Sequence, residues 1–108
     1  MIEDGGRYQL GTNLMRVAEL EFAFRMAVDL APRARPYNEA EVLACVATLH
    51  HVIELPDCRY QDFEHVGASQ LISDGACTDR FVLGPATDAN WRGIDLAVHD
   101  VLGRLNGD

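Results

Sequence analysis

The stretch Ala18-Glu19-Leu20-Glu21-Phe22-Ala23-Phe24 decides the fold. From Ala18 to Leu30 the even positions are Ala18, Leu20, Phe22, Phe24, Met26, Val28 and Leu30, an unbroken apolar face. The odd positions carry Glu19, Glu21, Ala23, Arg25, Ala27 and Asp29. A period of two belongs to a strand with one buried side, and it predicts a strand over Met15–Asp29. A helix would mix Glu21 and Arg25 into the apolar stripe. In the strand, Glu19 and Glu21 point the same way, one pleat repeat apart. Two like charges held that close repel. Either a divalent cation or water on an exposed face compensates them.

Downstream, Pro32 and Pro36 break regular structure. Asn38-Glu39-Ala40-Glu41 fits a capping box, with Tyr37 and Val42 placed for a hydrophobic staple. Val42, Leu43, Val46, Ala47 and Leu49 continue as a helical apolar face towards His50 and His51, so the pattern predicts one clear helix near 38–51. The short apolar segment Val52-Ile53-Glu54-Leu55 stops at Pro56-Asp57. Ser69 to Cys77 reads as a short helix, and Phe81-Val82-Leu83 as a strand ended by Gly84-Pro85. Ile94 to Leu105 alternates like a strand and runs into Asn106-Gly107, a favoured hairpin turn. That turn implies a returning strand, as if the sheet were interrupted. Residues 1–13 are polar and glycine-containing, a loose lead-in. Together these elements predict one α+β domain over 1–108, built on a β-rich mixed sheet.

The chain has 108 residues, 48% of them hydrophobic, which suits one small folded domain. Its formal charge of −8 argues against nucleic acid or an anionic membrane as partner. No apolar run is long enough to cross a bilayer. Met1-Ile2-Glu3-Asp4-Gly5-Gly6 lacks the basic and apolar regions of a signal peptide, so the cytoplasm is the expected compartment. All nine basic residues are arginines, which excludes Schiff-base or general-base chemistry by a lysine of this sequence. Cys45, Cys58 and Cys77 are widely spaced. They resemble neither a disulfide framework nor a zinc site, and read as free thiols.

Glu54 interrupts an apolar segment and joins Glu19 and Glu21 as a third carboxylate of interest. Three carboxylates without thiolate or imidazole suit a hard cation such as Mg²⁺, Mn²⁺ or Ca²⁺. From spacing alone the commoner reading is plain solvation, because acidic residues are frequent on the solvated side of a half-buried strand. His50 and His51 titrate near neutral pH, but at a helix end they would serve the dipole or the surface. Cys58 beside Arg59 has no partnering base in the pattern. Asp57, Arg59 and Asp62 form a charged cluster, in which Arg59 either braces a loop or recognises a substrate carboxylate. Trp91 reads as packing.

Read in order, Glu19-Leu20-Glu21-Phe22-Ala23-Phe24, Pro36-Tyr37 and Ile53-Glu54-Leu55-Pro56-Asp57-Cys58-Arg59-Tyr60-Gln61-Asp62-Phe63 form a pattern. Ser73-Asp74-Gly75-Ala76-Cys77 and Arg80-Phe81-Val82-Leu83-Gly84 extend it. From about Met15 onward the chain resembles the 2-keto-4-pentenoate hydratase branch of the fumarylacetoacetate hydrolase superfamily. The resemblance implies part of that superfamily's C-terminal domain fold. It implies a metal-dependent hydro-lyase of aromatic catabolism, with Mg²⁺ or Mn²⁺ held by Glu19, Glu21 and Glu54. The cation would chelate the carboxylate and keto oxygen of a 2-oxo acid and stabilise an enolate. Water addition to a dienol is the implied reaction, and decarboxylation is the related alternative.

Arg59 and Cys77 are the implied substrate contacts, and no catalytic acid or base is assigned. The pattern departs from the family at Cys58 and Cys77, where serines are usual, and at Gly75, where asparagine is usual. The family's catalytic lysine and the strands that close its sheet belong to segments beyond those matched. A non-catalytic remnant that binds metal or a homologous partner is therefore the competing expectation. Open sheet edges would favour a homo-oligomer under either reading.

Overall fold

The computed structural model describes residues 1–108. Strand β1 (Glu19–Met26), helix α1 (Glu39–Ala44), strand β2 (Val46–Leu55), helix α2 (Ala68–Ser73) and strand β3 (Arg80–Ala86) follow in order. Single 3-10 turns occur at Phe63–His65 and Trp91–Gly93. The three strands form one sheet in the order β1-β2-β3. Both pairings are antiparallel. The class is α+β, but the sheet is antiparallel rather than mixed. The one parallel pairing is an isolated bridge between Ile2 and Val82.

The predicted helix over 38–51 is corrected to a single short one. Its start forms as the sequence requires: the Asn38 side chain accepts from the Glu41 N–H, and the Glu41 carboxylate accepts from the Asn38 N–H. The helix stops at Ala44, and from Val46 the chain is strand. The misleading signal was Val46 and Leu49, three apart and both buried. In a regular strand they would face opposite sides. A bulge puts them on the same side: Arg25 pairs with Thr48 and Met26 with Val46, leaving Ala47 as the extra residue. One inserted residue thus mimics helical spacing inside a strand.

A second bulge extends β3 through Gly84-Pro85, where the sequence predicts its end. Val52 pairs with Leu83 and His50 with Ala86. A Cβ on Gly84 would lie 2.7 Å from the His51 carbonyl oxygen, so only glycine allows that approach. Proline is tolerated because β3 is an edge strand and the position is bulged.

The predicted strand over Ile94–Leu105 is absent; after the turn at Trp91–Gly93 the tail has no strand. It lies across the apolar face of the sheet instead of pairing at its edge. Trp91 packs on Phe24 with ring centroids 5.6 Å apart, and His99 approaches Phe22 at 6.2 Å. The Arg92 guanidinium donates to the carbonyls of Leu43 (3.0 Å) and Val46 (2.6 Å), fastening the tail to the end of α1. Asn106 and Gly107 do form a turn with positive φ at both, but no strands flank it.

The core is small. Val46, Leu49 and Trp91 form it, with Phe22, Leu43 and Leu96 packed around them. Nineteen large apolar side chains remain exposed, among them Leu20, Phe24, Met26 and Ile53 of the sheet. The radius of gyration is 16.5 Å, against about 13 Å for a compact chain of this length. The lead-in at 1–13 lacks helix and strand yet is not loose. Ile2 donates to the Phe81 carbonyl at 2.8 Å, Tyr8 to Asp79 at 3.0 Å, and the buried Asn13 side chain to the Pro56 carbonyl at 2.9 Å.

Candidate functional site

Strand register assembles the three predicted carboxylates. Glu19 pairs directly with Glu54 across β1 and β2, and Glu21 lies one pleat repeat along on the same side. One carboxylate oxygen from each lies within 4.8 Å of the other two. Glu19 and Glu21 sit on an edge strand and are exposed, while Glu54, on the central strand with Phe81 opposite, is half-buried. Its carboxyl is held above the ordinary glutamate range, first by partial burial and then by the charges of Glu21 and Glu19. None of the three makes an ion pair. A set of oxygen donors with uncompensated negative charge fits a hard divalent cation.

On the opposite, apolar face, where Leu20 pairs with Ile53 and the tail crosses the sheet, an open cleft of about 380 Å³ is lined by His51, Ile53, Val82 and Arg104 among others. Arg104 makes no ion pair and was not singled out by the sequence, because nothing local marks a lone arginine near the end of an irregular segment. His51 is exposed beside Phe22, at 5.4 Å between ring centroids. His50 is buried, with Nδ1 2.8 Å from the Gly84 carbonyl and Nε2 2.8 Å from the Thr48 hydroxyl. A carbonyl only accepts, so the proton is on Nδ1. The two histidines therefore lie mid-strand on opposite faces, not at a helix end.

The remaining predicted site residues, Arg59 and Cys77, belong to a second cluster. Arg59 donates through its backbone N–H to the Asp74 carboxylate, and through its guanidinium to the same carboxylate (3.1 Å) and to the Asp74 carbonyl (2.8 Å). The partner is Asp74 rather than Asp57 or Asp62. Asp57 accepts from the Leu14 N–H at 2.8 Å, and Asp62 pairs with His65 at 2.7 Å. The Asp74 side chain is fully shielded from solvent. Burial opposes its charge, but the Arg59 guanidinium, the Cys58 thiol and the Arg59 N–H together hold its carboxyl below the usual aspartate range.

Cys58 and Cys77 meet at Asp74, their sulfurs and a carboxylate oxygen all within 4.8 Å of one another. Sequence spacing placed them apart; the fold places them together. After α2 the chain makes a left-handed turn, with φ of 66° at Gly75, 55° at Ala76 and 63° at Cys77. For Ala76 and Cys77 this conformation costs on the order of 1 kcal/mol each. The turn ends with the Cys77 carbonyl accepting from the Asp57 N–H at 2.9 Å. Burial, and then the adjacent Cys58, raise the Cys77 thiol above the ordinary cysteine range.

The structure thus holds two separate clusters, an antiparallel strand pair carrying three crowded carboxylates and a loop pair locked by Arg59 and Asp74. No family model matches the chain, and neither a curated protein nor a solved structure is significantly similar to it. No helix is long and apolar enough to cross a membrane.

Proposed function

We propose that the chain is a hydratase-like lyase domain that acts on a small 2-oxo acid with a divalent cation, Mg²⁺ or Mn²⁺, at Glu19, Glu21 and Glu54. The observation that carries this reading is the meeting of the three carboxylates across one strand register, with oxygens within 4.8 Å and no cationic partner. When bound, the cation would supply Lewis-acid polarisation of a carbonyl and neutralise the charge of an enolate. The chain's own contribution is to hold the three oxygens on one strand pair. Arg59, whose guanidinium donates to Asp74 while its side chain stays 62% exposed, is the arginine proposed to meet a substrate carboxylate. Loss of CO₂ from a 2-oxo acid needs the same charge stabilisation and is the alternative reaction.

Thermal unfolding with and without millimolar Mg²⁺ or Mn²⁺ tests the cation site. A rise in melting temperature that disappears in Glu19→Ala/Glu21→Ala supports it, and no rise defeats it. Activity is tested with 2-hydroxypenta-2,4-dienoate, whose dienol absorbance must decay faster than its spontaneous loss. A second reading, a non-catalytic domain that associates with a homologous partner, is favoured by the exposed apolar side chains of the sheet. Sedimentation of the purified chain separates them: a stable assembly without metal-dependent turnover selects the second.

A further inference from the structure

We infer that Cys58 and Cys77 are an oxidisable pair, which a small-molecule disulfide of the glutathione class converts into an intramolecular disulfide in the folded chain. Geometry carries the inference. The two sulfurs lie within 4.8 Å of each other and of one Asp74 oxygen. Their backbones are clamped by the 2.9 Å hydrogen bond from the Asp57 N–H to the Cys77 carbonyl. The left-handed turn at Gly75–Cys77, unfavourable for its two non-glycine residues, is held by the Arg59–Asp74 bridge on the same loops. The hydrogen bond ties the Cys77 backbone to the residue next to Cys58, which keeps the two sulfurs close neighbours in the folded chain.

A metal is the weaker occupant of this cluster. The Asp74 carboxylate is already engaged by the Arg59 guanidinium and N–H and by Cys58, and the guanidinium beside it repels a cation. Cys77 is half-buried and Cys58 only 2% exposed, which orders the steps. The Cys77 thiol first gives its proton to solvent; the thiolate then attacks one sulfur of oxidised glutathione, giving a mixed disulfide and one glutathione thiolate, which is protonated from solvent in turn. The Cys58 sulfur then attacks the Cys77 sulfur and expels the second glutathione, which takes the Cys58 proton. Two protein thiols are oxidised and one glutathione disulfide is reduced to two thiols, so atoms and electrons balance.

The test treats the native chain with oxidised glutathione, traps remaining thiols, and maps the linked peptides by mass spectrometry. The expected product has lost the mass of two hydrogen atoms and carries the Cys58–Cys77 bridge in excess, on the order of tenfold, over any bridge to Cys45. In denaturant the preference should move towards Cys45–Cys58, which closes the shorter loop. Cys45→Ser should keep the native bridge, while Cys58→Ser and Cys77→Ser should each lose it. Stable glutathione adducts without a bridge would overturn the inference. So would Cys45-containing bridges in equal yield from the native chain, or failure of folded Cys45→Ser to form the Cys58–Cys77 link.

Discussion

Two groups of potential ligands lie within this small fold, and they handle charge in opposite ways. Glu19, Glu21 and Glu54 stand on the open sheet with no counter-charge, and the half-buried Glu54 is pushed towards its neutral form by burial and its two neighbours. Asp74 is sealed from solvent, yet it stays ionised because Arg59 and Cys58 outweigh the cost of burial. Exposure alone would predict the reverse order of ease. The difference is pairing. A buried carboxylate with enough donors is at rest, while a partly exposed one among like charges is short of a partner. The acidic group is therefore the one at which the proposed cation would relieve repulsion.

The largest effect expected is at the satisfied cluster. Asp74→Ala strands the Arg59 guanidinium and the Cys58 thiol and releases the left-handed turn, so its urea midpoint should fall further than that of any single glutamate variant of the sheet. Acid sharpens the same point. Asp74 has a lowered folded pKa, so its stabilisation is present above the ordinary aspartate value of about 4 and is lost as pH falls through the folded one. Wild-type stability should thus drop more steeply below about pH 4 than that of Asp74→Asn, measured by urea titration at each pH.

Cation binding comes next in size. At a hundredfold its dissociation constant a ligand adds about 2.7 kcal/mol, on the order of 10 °C in melting temperature for a domain this small. Glu19→Ala/Glu21→Ala should cancel that rise, and an undiminished rise would place the ion elsewhere. Smaller still, Glu54→Gln in metal-free buffer should raise the melting temperature by a few degrees by removing repulsion, the opposite sign to Asp74→Asn. The least effect is expected from Arg35→Ala. Its side chain is 73% exposed where it pairs with Glu41, and calorimetry should find the melting temperature little changed.

Much of the sheet was legible because period-two alternation is a local signal. β1 lies within the segment its even and odd positions mark out, and Asn38 and Glu41 announced the start of α1. The end of α1 was not legible. Val46 and Leu49 match helical spacing only because Ala47 bulges, and a bulge is fixed by pairing with a strand some twenty residues upstream. The tail failed for a related reason: Ile94–Leu105 has the alternation of a strand, but Trp91 and Arg92 anchor it across the sheet face, where no backbone partner exists. At the site, the two glutamates of β1 follow from alternation alone, and Glu54 joins them through register. The Cys58–Asp74–Cys77 contact links loops with no shared periodicity, so no local pattern could have disclosed it.

The outer side of β3 is partly spoken for: Ile2 bridges to it at Val82, and Pro85 offers no amide hydrogen. That leaves the outer side of β1 as the sheet's open flank, and β1 is the strand with Glu19, Glu21 and Arg25 on one side of its alternation. Charges along an unpaired strand keep a second molecule from adding to it. The crowded carboxylates thus oppose edge-to-edge pairing at β1, and the proposed cation, by quieting their repulsion, would weaken that opposition.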